Sequence, residues 1–208
     1  MAGHASTGVF IHPNALCESD SVGAGTRVWA FAHIMAGARI GAECNICDGA
    51  YVEGKVRIGD RVTVKNQVMI FDGVDIADDV FLGPGVTFTN DLRPRAFIKR
   101  SGDALLTTHV RRGATLGART TVVCGVTVGE YAFAGAGTVI AKDVPPHAFI
   151  VGAPARRIGW VCVCAARVSD NLACTECGRV FAEWQDGLRL VTGAPLDPPV
   201  GSTHHSRQ

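Results

Sequence analysis

The stretch Val52-Glu-Gly-Lys-Val-Arg-Ile58-Gly-Asp-Arg-Val-Thr-Val64-Lys-Asn-Gln-Val-Met-Ile70 carries an apolar residue at every sixth position. A helix would need apolar residues three, four and seven positions apart, and a half-exposed strand would need strict alternation. A period of six fits neither element, so the repeat predicts a different architecture. The anchor residues of this repeat, as read from the sequence, are Phe10, Leu16, Val22, Val28, Ile34, Ile40, Ile46, Val52, Ile58, Val64, Ile70, Ile76, Leu82 and Phe88.

A six-residue unit is satisfied by a short strand followed by a corner. Three units close one triangular coil, and successive coils stack as parallel strands about 4.8 Å apart. The anchor residues then point inward, and small or β-branched residues four positions later, such as Ala32 and Val56, fit where the walls converge. No coil buries its apolar side alone, so stability comes from stacking neighbours. We therefore predict an all-β protein in which residues 10–153 form a parallel β-helix of hexapeptide repeats.

Composition excludes several other classes of protein. The chain has 208 residues, 47% of them apolar, and a net charge of +1, which gives no basis for binding nucleic acid or a membrane. The sequence shows neither a basic-then-apolar signal nor an apolar run of about 18 residues, so we expect a soluble, cytoplasmic protein. In that compartment the eight cysteines are expected to be thiols or metal ligands rather than disulfides.

The repeat is interrupted once, by residues 89–109, and resumes in a new phase at Val110. An unpatterned segment of this length inside a compact domain is usually functional. It holds two acidic residues and four basic ones, which are Arg93, Arg95, Lys99 and Arg100. The interruption is either a solvated excursion or a flap that closes over an anionic ligand, with arginines placed for phosphate or carboxylate. We favour the flap.

The sequence changes character after the repeat, in residues 154–193. This segment begins with Pro154, which together with the preceding Pro145 and Pro146 is suited to capping the open end of the β-helix. It continues with two close cysteine pairs, Cys162 with Cys164 and Cys174 with Cys177, whose spacing suits a zinc-ribbon-like Cys₄ site with structural zinc. An unmetallated thiol hairpin is the alternative. Residues 180–191 predict a hairpin turning at Asp186-Gly187, and residues 1–9 and 194–208 are predicted to be disordered.

Certain segments of the repeat are more specific than the anchor residues: Arg27-Val28-Trp29, Ala32-His33-Ile34, Phe88-Thr89-Asn90 with Pro94-Arg95, Gly113-Ala114-Thr115-Leu116-Gly117, Val128-Gly129 and Val151-Gly152-Ala153-Pro154-Ala155-Arg156. They resemble segments of the bacterial nucleotide-sugar 3-N-acetyltransferases, within the hexapeptide-repeat acyltransferase superfamily. The resemblance covers about residues 10–160, and the cysteine-rich tail lies outside it. The enzymes that it most resembles act on UDP-2-acetamido-3-amino-2,3-dideoxy-glucuronate or on dTDP-3-amino-3,6-dideoxyhexoses, for surface polysaccharides such as O-antigen.

This resemblance implies a left-handed β-helix, a homotrimer with active sites between neighbouring subunits, and acetyl-CoA as co-substrate. Asn90 would orient the attacking sugar amine, because its amide both accepts and donates hydrogen bonds and does not titrate. The alternative is that Asn90 and Asp91 only form a turn. His33 and His109 are competing candidates for a base, although His33 is expected about three coils, or ~14 Å, from Asn90.

Binding residues complete the predicted site. The candidates for substrate contacts are Asn66, Asp91, Arg93 and Arg95. Small residues would let the pantetheine arm of the coenzyme approach the backbone, although any β-helix needs small corner residues; they are Gly117, Ala118, Gly135 and Ala136. The candidates for coenzyme phosphates, with solvated surface charge as the alternative, are Lys142, Arg156 and Arg157.

Other functions remain open at this stage. An O-acetyltransferase acting on a sugar or serine would need a histidine base to activate a hydroxyl. A non-enzymatic β-helical scaffold would have no need of the basic interrupting segment. A β-helical carbonic anhydrase is disfavoured, because the histidines lack the spacing that three ligands of one zinc require. The sequence does not distinguish a UDP-linked from a dTDP-linked sugar, nor a sugar with a C5 carboxylate from one without.

Overall fold

The computed structural model describes residues 8–100 and 102–193. The strands, in chain order, are β1 Phe10–Ile11, β2 Leu16–Cys17, β3 Ser21–Val22, β4 Arg27–Val28, β5 His33–Ile34, β6 Arg39–Ile40, β7 Asn45–Ile46, β8 Tyr51–Val52, β9 Arg57–Ile58, β10 Thr63–Val64, β11 Met69–Ile70, β12 Val74–Ile76, β13 Phe81–Leu82, β14 Thr87–Phe88, β15 Thr108–Val110, β16 Thr115–Leu116, β17 Thr121–Val122, β18 Thr127–Val128, β19 Phe133–Ala134, β20 Val139–Ile140, β21 Ala148–Val151, β22 Arg156–Val161, β23 Arg167–Val168, β24 Val180–Trp184 and β25 Gly187–Thr192. One 3₁₀ turn covers Gly102–Ala104.

Strands β1 to β21 form a parallel β-helix with three faces, as the sequence predicts. The first face contains β1, β4, β7, β10, β13, β16, β19 and β21; the second face contains β2, β5, β8, β11, β14, β17 and β20; the third face contains β3, β6, β9, β12, β15 and β18. Paired residues such as Thr63 and Phe81 lie 18 positions apart. In the described part of the chain, no helix is long and apolar enough to cross a membrane.

A single apolar core runs along the axis of the β-helix, from Val28 to Ile150. The anchor residues from Val28 to Phe88 are at most 4% exposed. The small residues four positions later, including Ala32 and Val56, are fully buried beside them. Burying one aliphatic side chain stabilises the fold by about 1.5–3 kcal/mol. A coil buries its apolar side chains only by stacking, so each coil is stabilised mainly by the coils above and below it.

The predicted register is wrong in the first two hexads. Ile11 pairs with Val28 and Cys17 pairs with Ile34, so these two residues occupy the anchor positions. Phe10 and Leu16 are 42% and 53% exposed. Neighbouring residues of a strand point to opposite faces, so a shift of one residue turns both side chains outward. The shift was hidden from the sequence because both alternatives at each position are apolar or small.

Three corners join the faces, and each is named here by its place in the coil. The first corner follows the first face and includes Asn66 and Gly117; the second corner follows the second face and includes Asp72 and Asn90; the third corner follows the third face and includes Asp79. Asp79 adopts a left-handed φ of 62°. Its carboxylate accepts hydrogen bonds from Arg61 Nε at 2.6 Å and Arg112 Nε at 2.9 Å, which links three successive coils.

The inserted segment enters at the second corner of one coil. Thr87 pairs with Thr121, 34 positions later, where other coils use 18, so the insertion adds 34 − 18 = 16 residues. Strand β15 begins at Thr108, and the insertion therefore covers residues 89–107. The anchor residues after it are buried as the new phase predicts; they are Val110, Leu116, Val122, Val128, Ala134 and Ile140.

The chain after β21 turns back and covers the end of the β-helix. Strand β22 pairs antiparallel with β21, and β23 pairs antiparallel with β22. The predicted hairpin is confirmed by β24 and β25, but Trp184 pairs with Gly187, so its turn lies at Gln185-Asp186, one residue earlier than predicted. A second small core contains Cys162, Val168, Cys174, Phe181 and Leu188. The predicted disorder of residues 1–7 and 194–208 lies outside the described residues, whereas Gly8 and Val9 are described.

Candidate active site

Asn90 lies at the second corner, two residues after the buried anchor Phe88. Its backbone carbonyl accepts a hydrogen bond of 3.1 Å from the amide of Leu106, which closes the base of the inserted segment. The preceding Thr89 Oγ1 accepts a 3.0 Å hydrogen bond from the amide of Cys124 in the next coil. Asn90 is therefore held at both sides on the rigid β-helix, while its side chain is only half-buried.

A cavity of about 560 Å³ opens beside Asn90, between the inserted segment and the two preceding coils. Its wall combines carboxylates, cations and a few apolar side chains. We name it the loop cavity. The residues that line it are Glu53, Asp72, Asn90, Asp91, Pro94, Arg95, Ala96, Ile98, Lys99, Arg100 and Leu105. The predicted flap thus borders a cleft that Asn90, Asp91 and Arg95 help to line.

The carboxylate of Asp91 braces the inserted segment from within. Asp91 Oδ1 accepts a 2.7 Å hydrogen bond from the amide of Arg93, and Asp91 Oδ2 pairs with Arg100 Nη1 at 3.2 Å. The amide of Arg93 and then the guanidinium of Arg100 lower the pKa of Asp91. Arg100 also donates to the carbonyl of Arg93. Both oxygens of the Asp91 carboxylate are therefore engaged within the inserted segment.

Arg93 and Arg95 lie on the outer side of the inserted segment. Together with Leu92, Pro94, Ile98 and Arg100 they border a second open cavity of about 540 Å³. Arg95 lines both cavities, whereas Arg93 lines only the outer one. Arg95 also bridges to Ile98 through an amide–carbonyl hydrogen bond of 3.0 Å. Arg95 is therefore the better placed of the two arginines to reach a ligand beside Asn90.

Two acidic residues of the loop cavity were missed by the sequence analysis. Asp72 occupies the same corner position as Asn90, one coil earlier, and Glu53 lies one coil before that. Glu53 Oε2 accepts a 2.6 Å hydrogen bond from the amide of Asp72, and Asp72 Oδ1 accepts one of 2.8 Å from the amide of Lys55. The signal was available: an 18-residue coil places residue 72 next to residue 90. The pair forms an acidic wall facing the basic segment.

The predicted phosphate-binding residues lie together at a third cavity, farther along the second corner from Asn90. Lys142, Arg156 and Arg157 line a pocket of about 220 Å³ together with Asp143, Pro145 and other residues. We name it the cationic cavity. Phe88, Val122 and Ile140 are successive partners in the second face, so Lys142 lies two strand spacings, about 10 Å, from Asn90 along the axis.

The small residues predicted to contact pantetheine lie at the first corner instead. Gly117 and Ala118 stack on Gly135 and Ala136 of the next coil, and Asn66 lies on this corner two coils earlier. A Cβ on Gly117 would come within 2.6 Å of the Ala136 amide nitrogen, so coil stacking alone requires this glycine. Within one subunit these small residues lie apart from Asn90, because the second face separates the first corner, which holds them, from the second corner, which holds Asn90.

The two histidines lie outside the loop cavity. His33 points outward from the second face, with its Nε2 at 3.1 Å from Glu18 Oε2 and its ring 5.5 Å from that of Tyr51. Three strand pairings separate it from Thr87, which agrees with the predicted distance of about 14 Å. His109 lies on the third face, where its buried Nδ1 has no hydrogen-bond partner and Asp75 Oδ2 lies 3.7 Å away.

The four cysteines of the tail come together. Their sulfur atoms all lie within 4.8 Å of one another. Separations include 3.5 Å between Cys162 and Cys177 and 3.6 Å between Cys164 and Cys174. The pKa of the Cys177 thiol is lowered to about 6. The largest cause is a hydrogen bond from the Arg179 backbone, and the Cys174 and Arg179 side chains add to it. Such a donor set fits a tetrahedral thiolate-preferring ion, and four protein ligands would leave no open position for catalysis.

Comparisons with known proteins agree with this fold. No protein-family model matches the chain. The chain is 51% identical over 181 residues to dTDP-3-amino-3,6-dideoxy-alpha-D-galactopyranose 3-N-acetyltransferase of Aneurinibacillus thermoaerophilus, covering 86% of this chain and 93% of that protein. It has the fold of the N-acyltransferase AntD of Bacillus cereus, solved as a point mutant in complex with dTDP and coenzyme A, at a TM-score of 0.53 and 17% identity, over 73% of this chain and 82% of that one.

A second solved structure with this fold is the acetyltransferase domain of PglB from Neisseria gonorrhoeae in complex with acetyl coenzyme A. It has a TM-score of 0.51 and 22% identity, and the match covers 73% of this chain and 58% of that one. The β-helix of hexapeptide repeats together with the 51% identity to the Aneurinibacillus thermoaerophilus enzyme over most of both chains identifies a hexapeptide-repeat acyltransferase. The chain belongs to the nucleotide-sugar N-acetyltransferase family of that superfamily, as its sequence relative shows.

Proposed function

We propose that the protein transfers the acetyl group of acetyl-CoA to the 3-amino group of a dTDP-linked 3-amino-3,6-dideoxyhexose, in the cytoplasm and as a homotrimer. The 51% identity to an enzyme named for such a sugar favours dTDP over UDP. The product would supply a surface polysaccharide. The observation that carries the proposal is the position of Asn90, on a rigid corner between the acidic wall, the basic inserted segment and the cationic cavity.

The reaction is a direct acyl transfer. The neutral amine attacks the thioester carbonyl, an oxyanion forms and collapses, and coenzyme A leaves as a thiolate that takes the proton lost by the amine. An amine is a good nucleophile, so positioning does most of the work. The side-chain oxygen of Asn90 accepts a hydrogen bond from the amine and aims its lone pair at the carbonyl. Glu53 and Asp72 attract the ammonium form of the sugar's amino group into the loop cavity, and that group loses a proton to water before it attacks.

The coenzyme would follow the second corner. Its phosphates would bind Lys142, Arg156 and Arg157 at the cationic cavity, and its arm would run from there toward Asn90. The first corner of a neighbouring subunit, with Gly117 and Gly135, would then cover the arm. That arrangement supports a trimer, because one chain leaves the second corner open and keeps the two predicted groups apart.

A thiol-release assay tests the proposal. The purified protein is supplied with acetyl-CoA and with 3-amino sugars linked to dTDP or UDP, with and without a C5 carboxylate. We expect release of coenzyme A with the dTDP-linked 3-amino-3,6-dideoxyhexose and none with the matching 3-hydroxy sugar. Faster release with a UDP-linked 3-amino uronate would contradict the proposed substrate. Release with a plain hydroxyl acceptor alone would favour the O-acetyltransferase alternative.

A further inference from the structure

We propose that Cys162, Cys164, Cys174 and Cys177 bind one structural Zn²⁺, and that this ion holds β22 in the position that keeps Arg156 and Arg157 at the cationic cavity. The metal site stands on the geometry of the cysteines alone. The coupling to coenzyme binding rests on the proposed function, because it takes the cationic cavity as the phosphate site.

The sulfur atoms have the spacing of a tetrahedral zinc site. Four Zn–S bonds of about 2.3 Å place the sulfur atoms about 3.8 Å apart. The separations from Cys162 to Cys177, from Cys164 to Cys174 and from Cys164 to Cys177 are 3.5, 3.6 and 3.6 Å, and all four atoms lie within 4.8 Å of one another. A disulfide would bring one pair to about 2.05 Å. No pair among them has that separation, and each cysteine faces more than one other.

The backbone around the cysteines forms two tight turns that aim the thiols inward. At the first turn, the amide of Ala165 donates to the carbonyl of Cys162. The amide of Cys162 donates to the carbonyl of Ala166. At the second turn, the amide of Cys177 donates to Cys174 Sγ at 3.5 Å. Arg179 Nη1 donates to Cys177 Sγ at 3.0 Å. Donors aimed at sulfur stabilise thiolates, and a Cys₄ site carries surplus negative charge that a guanidinium offsets.

The core around the cysteines contains few fully buried residues. Its buried members are Val168, Phe181 and Leu188 together with two of the cysteines, Cys162 and Cys174. Segments of this size usually depend on a disulfide or a metal ion. The described cysteines are free thiols. A bound zinc ion therefore explains how the tail keeps one arrangement against the end of the β-helix.

Strand β22 connects the metal site directly to the cationic cavity. It begins with Arg156 and Arg157 and ends at Val161, so Cys162 is the next residue. Trp160 packs against both the main core and the cysteine-containing core. The guanidinium of Arg157 lies over the Trp160 ring, 4.0 Å from its centre. Movement of Cys162 would therefore displace Trp160, and with it Arg157.

Metal analysis and cobalt substitution test the site. We expect one zinc per chain in the purified protein, and the Co²⁺-loaded protein should show the thiolate charge-transfer and tetrahedral d–d bands of a Cys₄ site. The matched control is Cys17→Ser, which alters a cysteine outside the cluster and should keep the zinc. Absence of zinc, or iron in its place, would overturn the metal site. The cobalt spectrum uses the unaltered chain, so the result does not depend on whether a cysteine variant folds.

Binding of free coenzyme A, measured by calorimetry, tests the coupling. We compare the zinc-loaded protein, the same protein stripped of zinc, and the stripped protein after zinc is restored. Stripping should raise the Kd for coenzyme A about tenfold, as expected for loss of one charge-assisted contact, and restoring zinc should reverse the change. An unchanged Kd after stripping would overturn the coupling while the proposed function stood. A zinc-loaded protein that does not bind coenzyme A would refute the proposed function while the metal site stood.

Discussion

The carbonyl of Asn90 accepts a 3.1 Å hydrogen bond from the amide of Leu106, at the opposite end of the inserted segment. This contact makes Asn90 part of the scaffold rather than part of the loop. The segment beyond it, including Phe97, which is 83% exposed, projects from a fixed base. A group that positions a nucleophile needs such a base, since small displacements reduce the rate strongly.

Replacing Asn90 with alanine should lower kcat about 100-fold, because the amine loses the hydrogen bond that orients it. The KM for acetyl-CoA should change little. Steady-state kinetics with the dTDP-linked amino sugar measures both values. The matched controls are His33→Asn and His109→Asn, which should each retain most of the activity. A collapse at either histidine with a mild effect at Asn90 would point to histidine base catalysis instead.

Replacing Lys142 or Arg156 with alanine should raise the KM for acetyl-CoA about tenfold, which corresponds to ~1.4 kcal/mol of binding free energy. The expected change in kcat is small, because these side chains lie about 10 Å or more along the axis from the reacting atoms. The difference in KM between the variants and the wild type should become smaller at high salt, because salt screens the attraction between these cations and the coenzyme phosphates. Arg39→Ala, on the outer third face, is the control. Equal KM values for the variants and the wild type would remove the cationic cavity as the phosphate site.

Stability should fall as the pH drops below about 6.5, because of His147. This side chain is 4% exposed, with Nδ1 at 2.9 Å from the Val161 carbonyl and its ring stacked on Tyr131. Burial lowers the pKa of His147. The unfolded chain therefore takes up a proton at a pH where the folded protein does not. The free energy of unfolding is highest above about pH 6.5 and falls as the pH drops from there to the lowered pKa of folded His147.

Urea unfolding between pH 5 and 8 measures this effect, with a slope of up to about 1.4 kcal/mol per pH unit from one group. His147→Asn should flatten the slope, and asparagine tolerates the left-handed φ of 62° at this position. A wild-type protein whose stability is constant across this range would exclude the role of His147.

Replacing Asp79 with asparagine should destabilise the β-helix by about 1–3 kcal/mol at pH 7. Burial raises the pKa of Asp79, but hydrogen bonds and charge from Arg61 and then Arg112 outweigh it, and the pKa is lowered. Its contribution is therefore present above about pH 3.9 and is lost as the pH falls through the lowered pKa. Asparagine keeps the shape and accepts the left-handed φ, so the substitution isolates the charge.

Chemical unfolding of Asp79→Asn, Arg112→Ala and the double variant measures the coupling between the two residues. The difference between Asp79→Asn and wild type should shrink as the pH falls below about 3.9, where the unfolded carboxyl takes up a proton while the folded one, with its lowered pKa, stays ionised. A double variant whose loss equals the sum of the two single losses would show that the pair is not coupled.

The sequence predicted the fold well because the repeat leaves few alternatives. A period of six fixes where each strand lies, and every anchor residue from Val28 to Phe88 is buried. The same pattern failed at Phe10 and Leu16, where the next residue was equally able to face inward. Local chemistry also predicted the cysteine pairs and the hairpin of β24 and β25 to within one residue of its turn, because both depend on near neighbours in the chain.

The site was predicted less completely because it depends on which corner each residue occupies. Asn90 and Lys142 share the second corner, whereas Gly117 and Gly135 occupy the first, and a list of small and basic residues does not separate them. Glu53 and Asp72 were overlooked because isolated carboxylates look like solvated surface. Asp91 was expected to bind substrate, but its carboxylate is engaged by Arg93 and Arg100, which only the folded loop reveals.

The pairing of Thr87 with Thr121 is undisturbed by the 16 residues added between them. One coil therefore carries an inserted segment, and the strands on either side of that segment keep their regular pairing. A segment of different length or charge, grafted between Asn90 and Leu106, would leave Asn90 and the strand pairing on either side of it in place.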